Sequence, residues 1–161
     1  MEVINNLQER FYEFKSMRDS ICDLHTMSQD GLLVVSLGMG GTEIFAYKGG
    51  SLQFTEYVKI GSLRLRELLA DLERVTLEFS TILEEFLESK IYWLDSIRHG
   101  TDYQYVIGLG GELTSILRLG QLNQFTGDPH FLEQAAMEKI YALIKNITPE
   151  NIVSRYKMHR N

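Results

Sequence analysis

The clearest feature of the hydrophobic pattern is a group of three β-type runs between residues 31 and 61. Leu32–Leu37 is an apolar run too continuous for a strand with one wet face, and is typical of a strand buried on both faces of a sheet. The runs 42–48 and 52–60 are rich in Ile, Phe, Tyr, Thr and Val, and Gly49-Gly50-Ser51 separates them. That arrangement predicts a hairpin. Three antiparallel strands are therefore expected.

Helical patterns flank these strands. Residues 1–25 carry apolar positions at three- and four-residue spacings, which predict a helix, and residues 28–31 are expected to form the turn after it. Ser62 is the expected N-cap of a long helical region, which has no Pro or Gly before Gly100. Its apolar positions form a heptad seam: Leu65, Leu68, Leu72, Val75, Phe79, Ile82 and Phe86, widened by Leu69, Leu83 and Leu87.

The width of the seam favours packing on a sheet, and a contact between two copies of the chain stays open as the alternative. We expect one long helix or a kinked pair. The run 104–109 then predicts a fourth strand, which a crossover of this length can return parallel to one of the others. The expected fold is α/β, a mixed sheet of three antiparallel strands plus one parallel strand, with helices on both faces.

The last third of the chain predicts three helices. The first covers residues 112–122, after the fourth strand. Gly127-Asp128-Pro129 predicts a break, with Asp128 as the N-cap of a helix over residues 131–147. In the same way, Thr148-Pro149-Glu150 predicts the start of a final helix, and this helix is expected to extend to residue 156.

Composition narrows the class of protein. The length of 161 residues suits a single domain over residues 1–161. Sixteen Lys and Arg against 22 Asp and Glu give a net charge of −6, which argues against nucleic acid or an anionic membrane as a partner. The single Cys22 excludes an internal disulfide and fits a reducing compartment. No apolar run approaches membrane-spanning length and no secretory leader is visible, so a cytoplasmic protein is expected.

Common catalytic and metal signatures are missing from the sequence. The four His residues show no metal-ligand spacing, and a single Cys makes a zinc site unexpected. No Ser stands in a G-x-S-x-G elbow, so a Ser-His-Asp hydrolase is not indicated.

Two glycine loops are the remaining chemical feature. The first follows the strand at 32–37, and the second forms the end of the strand at 104–109, each with the pattern G-x-G-G. Glycine can simply supply the positive φ of a tight turn. Alternatively, the missing side chains let backbone N–H groups converge on an anion such as phosphate. The second loop also precedes a helix, whose first N–H groups are unpaired, so the repetition favours one phosphate-bearing ligand held from two sides.

Three segments carry a family resemblance. Ser36–Ile44 reads S-L-G-M-G-G-T-E-I, Ile60–Leu65 reads I-G-S-L-R-L, and Gly108–Ile116 reads G-L-G-G-E-L-T-S-I. In that order they resemble the motifs D-I-G-G-G-S-T-E-L, L-G-A-V-R-L and G-x-G-G-T-x-T-T-L of the exopolyphosphatase and guanosine pentaphosphate phosphatase family. That family belongs to the sugar kinase and actin superfamily, whose lobes are ribonuclease H-like. The resemblance implies that this chain is equivalent to the second lobe of a two-lobed phosphatase.

The resemblance also implies roles for individual residues. The phosphate-binding residues would be Gly38, Gly40, Gly41 and Thr42 in the first loop, and Gly110, Gly111 and Thr114 in the second. Glu43 would orient water or a magnesium ion. Glu13 is the best counterpart of the family's catalytic glutamate, which acts as general base, and Glu9 is the second choice. The alternative for Glu13 is a solvated carboxylate on an exposed helix face.

Four positions depart from the family motifs. The Asp that opens the first loop is Ser36, a loop glycine is Met39, the loop serine is Gly41, and a Thr of the second loop is Glu112. Losing the carboxylate at Ser36 removes a ligand or orienting group for a divalent cation. The charge of Glu112 would repel phosphate.

The function implied by the resemblance is hydrolysis of a phosphoanhydride bond in inorganic polyphosphate or guanosine pentaphosphate, with magnesium and with the missing first lobe completing the cleft. Family members commonly dimerise, so a homodimer is left open. Two alternatives stand beside this function. One is a degenerate member that binds phosphate or nucleotide without turnover, and the other is a structural or partner-binding α/β domain whose glycines are only turns.

Overall fold

A computed structural model describes residues 6–75, 79–92, 102–145, 147, 151, 154 and 156. The elements in chain order are α1 (Asn6–Ser20), α2 (Leu24–Asp30), β1 (Leu32–Leu37), β2 (Thr42–Lys48), β3 (Ser51–Val58), α3 (Ser62–Val75), α4 (Phe79–Ile91), β4 (Tyr105–Leu109), α5 (Gly111–Leu122) and α6 (Gln134–Lys145). The chain divides into two compact units, residues 1–108 and residues 109–161. The single domain expected over residues 1–161 stays a prediction.

The sheet has the strand order β3-β2-β1-β4. β1 pairs antiparallel with β2, β2 pairs antiparallel with β3, and the pair of β1 with β4 is parallel. Leu32 and Val34 of β1 are 1% and 2% exposed, and Ala46 of β2 is fully buried, so the core of this unit lies on the central strands. The predicted mixed α/β sheet is confirmed.

The hairpin between β2 and β3 turns on two residues. Gly49 and Gly50 have φ of +59° and +71°, and a type I′ hairpin turn requires positive φ at both central positions. Their N–H groups donate to the carbonyls of Gln29 and Ser28, at 3.1 and 3.2 Å, and so attach the turn to α2. The predicted three-residue turn is one residue too long, because Ser51 already pairs with Lys48.

The helix predicted over residues 1–25 is divided in the structure. α1 ends at Ser20, and α2 occupies most of the predicted turn at 28–31. Met17 of α1 and Leu24 of α2 are both buried. Gly31 caps the C-terminus of α2, with a φ of +114° and an N–H that donates to the Met27 carbonyl at 3.0 Å.

The long helical region appears as α3 and α4, with residues 76–78 outside the described part. None of the described side chains in these two helices is buried, and Leu68 in the predicted seam is 56% exposed. The seam side chains that the structure describes other than Leu68 are partly buried, and the packing of the seam on the sheet stays a prediction. The predicted end of the helical region, before the fourth strand, falls within residues 93–101, which lie outside the described residues.

The second unit has its own core. Leu119, Ile140 and Tyr156 are buried together, and the partly buried residues packed on them are Ile116, Phe125, Leu132, Leu143 and Ile147. α5 and α6 approach closely at Gly120, where a Cβ would lie 2.9 Å from Ile140 Cδ1. The Tyr156 hydroxyl donates to Asn123 Oδ1 at 3.0 Å, which ties the C-terminal segment to the end of α5.

The helix predicted over residues 131–147 is shorter in the structure, at Gln134–Lys145. Asp128 does accept hydrogen bonds from the N–H groups of His130 and Phe131, at 2.7 and 2.9 Å. These bonds close a local turn, and the chain then places Leu132 in the core before regular helix begins. The predicted start of a final helix at Thr148-Pro149-Glu150 lies outside the described residues.

Candidate functional site

The first glycine loop, Gly38–Gly41, is the turn that joins β1 to β2. The Gly38 N–H donates to the Gly41 carbonyl at 2.9 Å, which leaves Met39 and Gly40 at the tip. None of the three loop glycines has a φ in the left-handed region. The interpretation that these glycines supply positive φ therefore does not hold for this loop.

The Met39 carbonyl is held by the N-terminus of α3. It accepts the N–H groups of Leu63 and Arg64, at 3.2 and 3.3 Å. Gly61 allows this approach, because a Cβ there would collide with the Met39 carbonyl oxygen and lie 2.5 Å from Gly41 N. In a trans peptide the C=O and the following N–H point in opposite directions, so the Gly40 N–H is directed away from α3.

The two candidate catalytic carboxylates flank Ser36, the last residue but one of β1. Ser36 Oγ donates to Glu13 Oε1 of α1 at 3.3 Å. Ser36 also faces Glu43 directly in the β1–β2 register. Facing residues share one side of a sheet, with Cβ atoms about 5 Å apart. Glu13, Ser36 and Glu43 therefore lie together on one face, directly before and after the first loop.

Thr42 has a different environment from the one predicted. Its Oγ1 donates to the Ile60 carbonyl at 2.7 Å. This hydrogen bond holds the segment after β3 against the start of β2. Because neighbouring strand residues point to opposite faces, Thr42 lies on the face away from Glu43. Its predicted phosphate contact stays a prediction.

Tyr57 is a site residue that sequence reasoning missed. It faces Glu43 in the β2–β3 register, and its hydroxyl lies against Gly41, where a Cβ would collide with it. The side chain is 47% exposed. The two-residue turn alone would place Glu56 opposite Glu43, and the register shift between Ala46 and Tyr47 brings Tyr57 there instead, so the hairpin pattern does not predict this position. Nothing in the sequence indicated the contact with Gly41.

The second glycine loop leads directly from β4 into α5. Gly110 has a φ of +130° and occupies the N-cap position, without a side-chain cap, so positive φ does explain this glycine. Gly111 and Thr114 are exposed. Glu112 lies in the first turn, where a carboxylate interacts favourably with the helix dipole and would repel a phosphate. The expected capture of one ligand by both loops stays a prediction.

A cavity of ≈310 Å³ lies at the other end of β1. Its walls include Phe14 and Met17 of α1, Leu24 of α2, Leu32 and Tyr47. The cavity contains none of the predicted phosphate-binding or catalytic residues. Among the described residues no group of three or more His, Cys, Asp or Glu side chains could hold a metal ion. No helix in the described part of the chain has the length and apolar character needed to cross a bilayer.

Comparison with known proteins gives structural relatives only. No protein-family model and no curated protein matches the chain. An Aquifex aeolicus member of the Ppx/GppA family is similar over 99% of this chain and 50% of its own length, with a TM-score of 0.65 and 24% identity. The type II variant of the A. aeolicus Ppx/GppA phosphatase matches 82% of this chain and 44% of its own, with a TM-score of 0.58 and 24% identity. A third structure, the A. aeolicus PPX-GPPA enzyme, matches 78% and 42%, with a TM-score of 0.56 and 23% identity.

These similarities show the fold. This chain has the α/β fold of the Ppx/GppA structures, as the family resemblance implied. It spans half or less of the length of each of the three structures.

Proposed function

We propose that this chain forms one half of a hydrolase that cleaves phosphoanhydride bonds in inorganic polyphosphate or guanosine pentaphosphate. The observation that carries the proposal is the contact of Glu13 with Ser36, at 3.3 Å, on the strand that leads into the first glycine loop. Glu13 of α1 therefore lies beside the end of the strand that leads into this loop, which supports a role as general base. The structural likeness to Ppx/GppA phosphatases supports the same reaction class.

The proposed chemistry needs few groups. Glu13 accepts a proton from a water molecule, whose oxygen attacks the terminal phosphorus. The bond from that phosphorus to the bridging oxygen breaks, and the shortened phosphate chain leaves with the bridging oxygen. The Gly40 N–H, directed away from α3, donates to a phosphate oxygen at the loop. Positioning and charge stabilisation supply most of the catalysis in reactions of this type.

Magnesium is the cofactor that the family resemblance implies, and the donor set fits it. Mg²⁺ in phosphate-transfer sites is usually held by one or two carboxylates together with substrate oxygens and water. Glu43 provides one such carboxylate, directly opposite Ser36 in the β1–β2 register, while Glu13 keeps the role of general base. When bound, the ion would neutralise charge on the phosphate oxygens, which matters for a chain with a net charge of −6.

A first lobe would supply the remaining half of the active site. The three structural relatives are at least twice as long as the region that this chain matches. The cytoplasm is the proposed location, based on the sequence expectations above. A homodimer through the heptad seam of α3 and α4 is left open.

A second candidate function is binding of phosphate or nucleotide without turnover. Ser36 favours it, because this residue contacts Glu13 with a hydroxyl where the family motif has a carboxylate. The acidic Glu112 in the first turn of α5 favours it as well.

One assay separates the two functions. The protein at its full natural length is incubated with Mg²⁺ and either polyphosphate or guanosine pentaphosphate, and phosphate release is measured beside binding by calorimetry. Release from either substrate supports the hydrolase. Tight binding without release supports the second candidate. Failure of both substrates to bind would reject both functions.

A further inference from the structure

Polar side chains lie side by side on three neighbouring strands next to the first glycine loop. Ser36, Glu43 and Tyr57 face one another across β1, β2 and β3, and Glu13 contacts the first of them. Directly facing residues project from the same side of a sheet. Tyr57 is thus the next polar side chain after the two candidate catalytic carboxylates.

The hydroxyl of Tyr57 reaches the loop itself. A Cβ built on Gly41 would collide with the Tyr57 hydroxyl and lie 2.6 Å from ring atom Cε2, and a Cβ on Gly40 would lie 4.0 Å from the hydroxyl oxygen. The phenol therefore occupies the space of a side chain at position 41. Within the described residues this hydroxyl has no hydrogen-bond partner, and the side chain is 47% exposed.

The occupied position is the one at which the chain departs from the similar loop motif, which has a serine where this chain has Gly41. A serine hydroxyl and a tyrosine hydroxyl can each donate one hydrogen bond to a phosphate oxygen. We propose that Tyr57 is a further phosphate-contacting residue of the first loop, and that its hydroxyl supplies the side-chain donor that Gly41 lacks. The inference rests on the proposed phosphate-binding function of this loop.

The test measures binding of tripolyphosphate with Mg²⁺ to the full natural-length protein by calorimetry. Tyr57→Phe removes the hydroxyl and keeps the ring, and should weaken binding about tenfold, as expected for a lost hydrogen bond to a charged group. Tyr92→Phe is the matched control, because Tyr92 is a 74% exposed tyrosine at the end of α4. It should bind as the wild type does.

A rescue variant tests whether a serine hydroxyl at position 41 can replace the Tyr57 hydroxyl. Tyr57→Val clears the space beside Gly41 with a residue suited to a strand, and should bind as weakly as Tyr57→Phe. Adding Gly41→Ser to Tyr57→Val returns a hydroxyl to the loop at a φ that L-residues adopt, and should restore binding to within about threefold of the wild type. Unchanged melting temperatures establish that all variants are folded.

The possible results distinguish failure of this inference from failure of the proposed function. A wild type that binds tripolyphosphate, with Tyr57→Phe equally tight, overturns the inference and leaves the proposed function intact. Weak binding by Tyr57→Val that Gly41→Ser does not restore overturns the role of Tyr57 as a replacement for the serine. A wild type that binds no tripolyphosphate overturns both the inference and the function.

Discussion

Ser36 on β1 donates its hydroxyl hydrogen to Glu13 on α1, with 3.3 Å between Oγ and Oε1. This bond connects residues 23 positions apart in the chain, so it depends on how α1 packs on the sheet. It fixes one carboxylate oxygen at the end of the strand that leads into the first loop. The position of Glu13 is therefore a property of the folded unit, and its role can be tested by mutation.

Replacing Glu13 with Gln should lower phosphate release about 100-fold or more, because the amide cannot accept the proton of the attacking water. Binding of tripolyphosphate with Mg²⁺ should be affected much less than turnover. The measurement is the initial rate of phosphate release with saturating substrate. Asp19→Asn is the control, since Asp19 is a carboxylate on the same helix whose side chain is 56% exposed. Equal rates for Glu13→Gln and the wild type would remove Glu13 as the general base.

Replacing Ser36 with Asp should make stability dependent on Mg²⁺. The new carboxylate would lie beside Glu13 and Glu43, and like charges facing each other in a sheet cost roughly 1 kcal/mol or less per pair. A divalent ion held by the new carboxylate and Glu43 would reverse that cost, since a ligand at 100 times its Kd stabilises the folded state by about 2.7 kcal/mol. The melting temperature should fall without Mg²⁺ and rise above that of the wild type with it.

Ser36→Asn is the matched control for this prediction, because it has nearly the same shape without the charge. Its melting temperature should respond to Mg²⁺ as the wild type does. If Ser36→Asp also melts at the same temperature with and without Mg²⁺, the carboxylates do not form a cation site.

Gly61→Ala should destabilise the first unit by about 1–3 kcal/mol, the usual cost of overpacking. The added methyl group would meet the Met39 carbonyl oxygen and Gly41 N, which are backbone atoms and cannot rotate away. Gly127→Ala is the control, because no atom lies within 4 Å of a Cβ there. The midpoint of urea unfolding measures the difference between the two variants. Equal midpoints would show that the loop can retreat from α3 without cost.

Local sequence patterns predicted the strands well, for physical reasons. The strand bounds at Leu32–Leu37 and Thr42–Lys48 follow from apolar and β-branched runs that end in glycine. The hairpin between β2 and β3 is fixed by Gly49 and Gly50, because few other residues adopt positive φ at both positions. In these segments the local preference and the tertiary structure agree.

The helix boundaries could not be predicted in the same way. Residues 21–23 contain neither Gly nor Pro, and an unbroken helix would also place Met17 and Leu24, which are seven positions apart, on one face. The position of the break is therefore visible only in the packed structure. The same holds for the candidate site. The sequence motifs identified Gly61 and Glu43. The contacts of Met39 with α3 and of Tyr57 with Gly41 join segments that are distant in sequence, so no local pattern predicted them.

Alkaline unfolding tests the packing of α1 on the sheet. The ring of Tyr47 stacks on Phe14 of α1, with 6.5 Å between centroids, and burial raises the pKa of Tyr47 above its usual value of 10.0. Below pH 10 the phenol keeps its proton in both the folded and the unfolded chain, so its contribution to stability is fully present there.

Above pH 10 the unfolded chain releases the Tyr47 proton more readily than the folded one. The folded state then binds more protons than the unfolded state, and the free energy of unfolding falls as pH rises through the raised pKa. Tyr47→Phe, which has no proton to lose, should therefore show a smaller alkaline fall in melting temperature than the wild type. Tyr92→Phe, at a tyrosine that is 74% exposed, should keep the wild-type slope. Identical slopes for all three proteins would mean that α1 does not shield the Tyr47 phenol from water in solution.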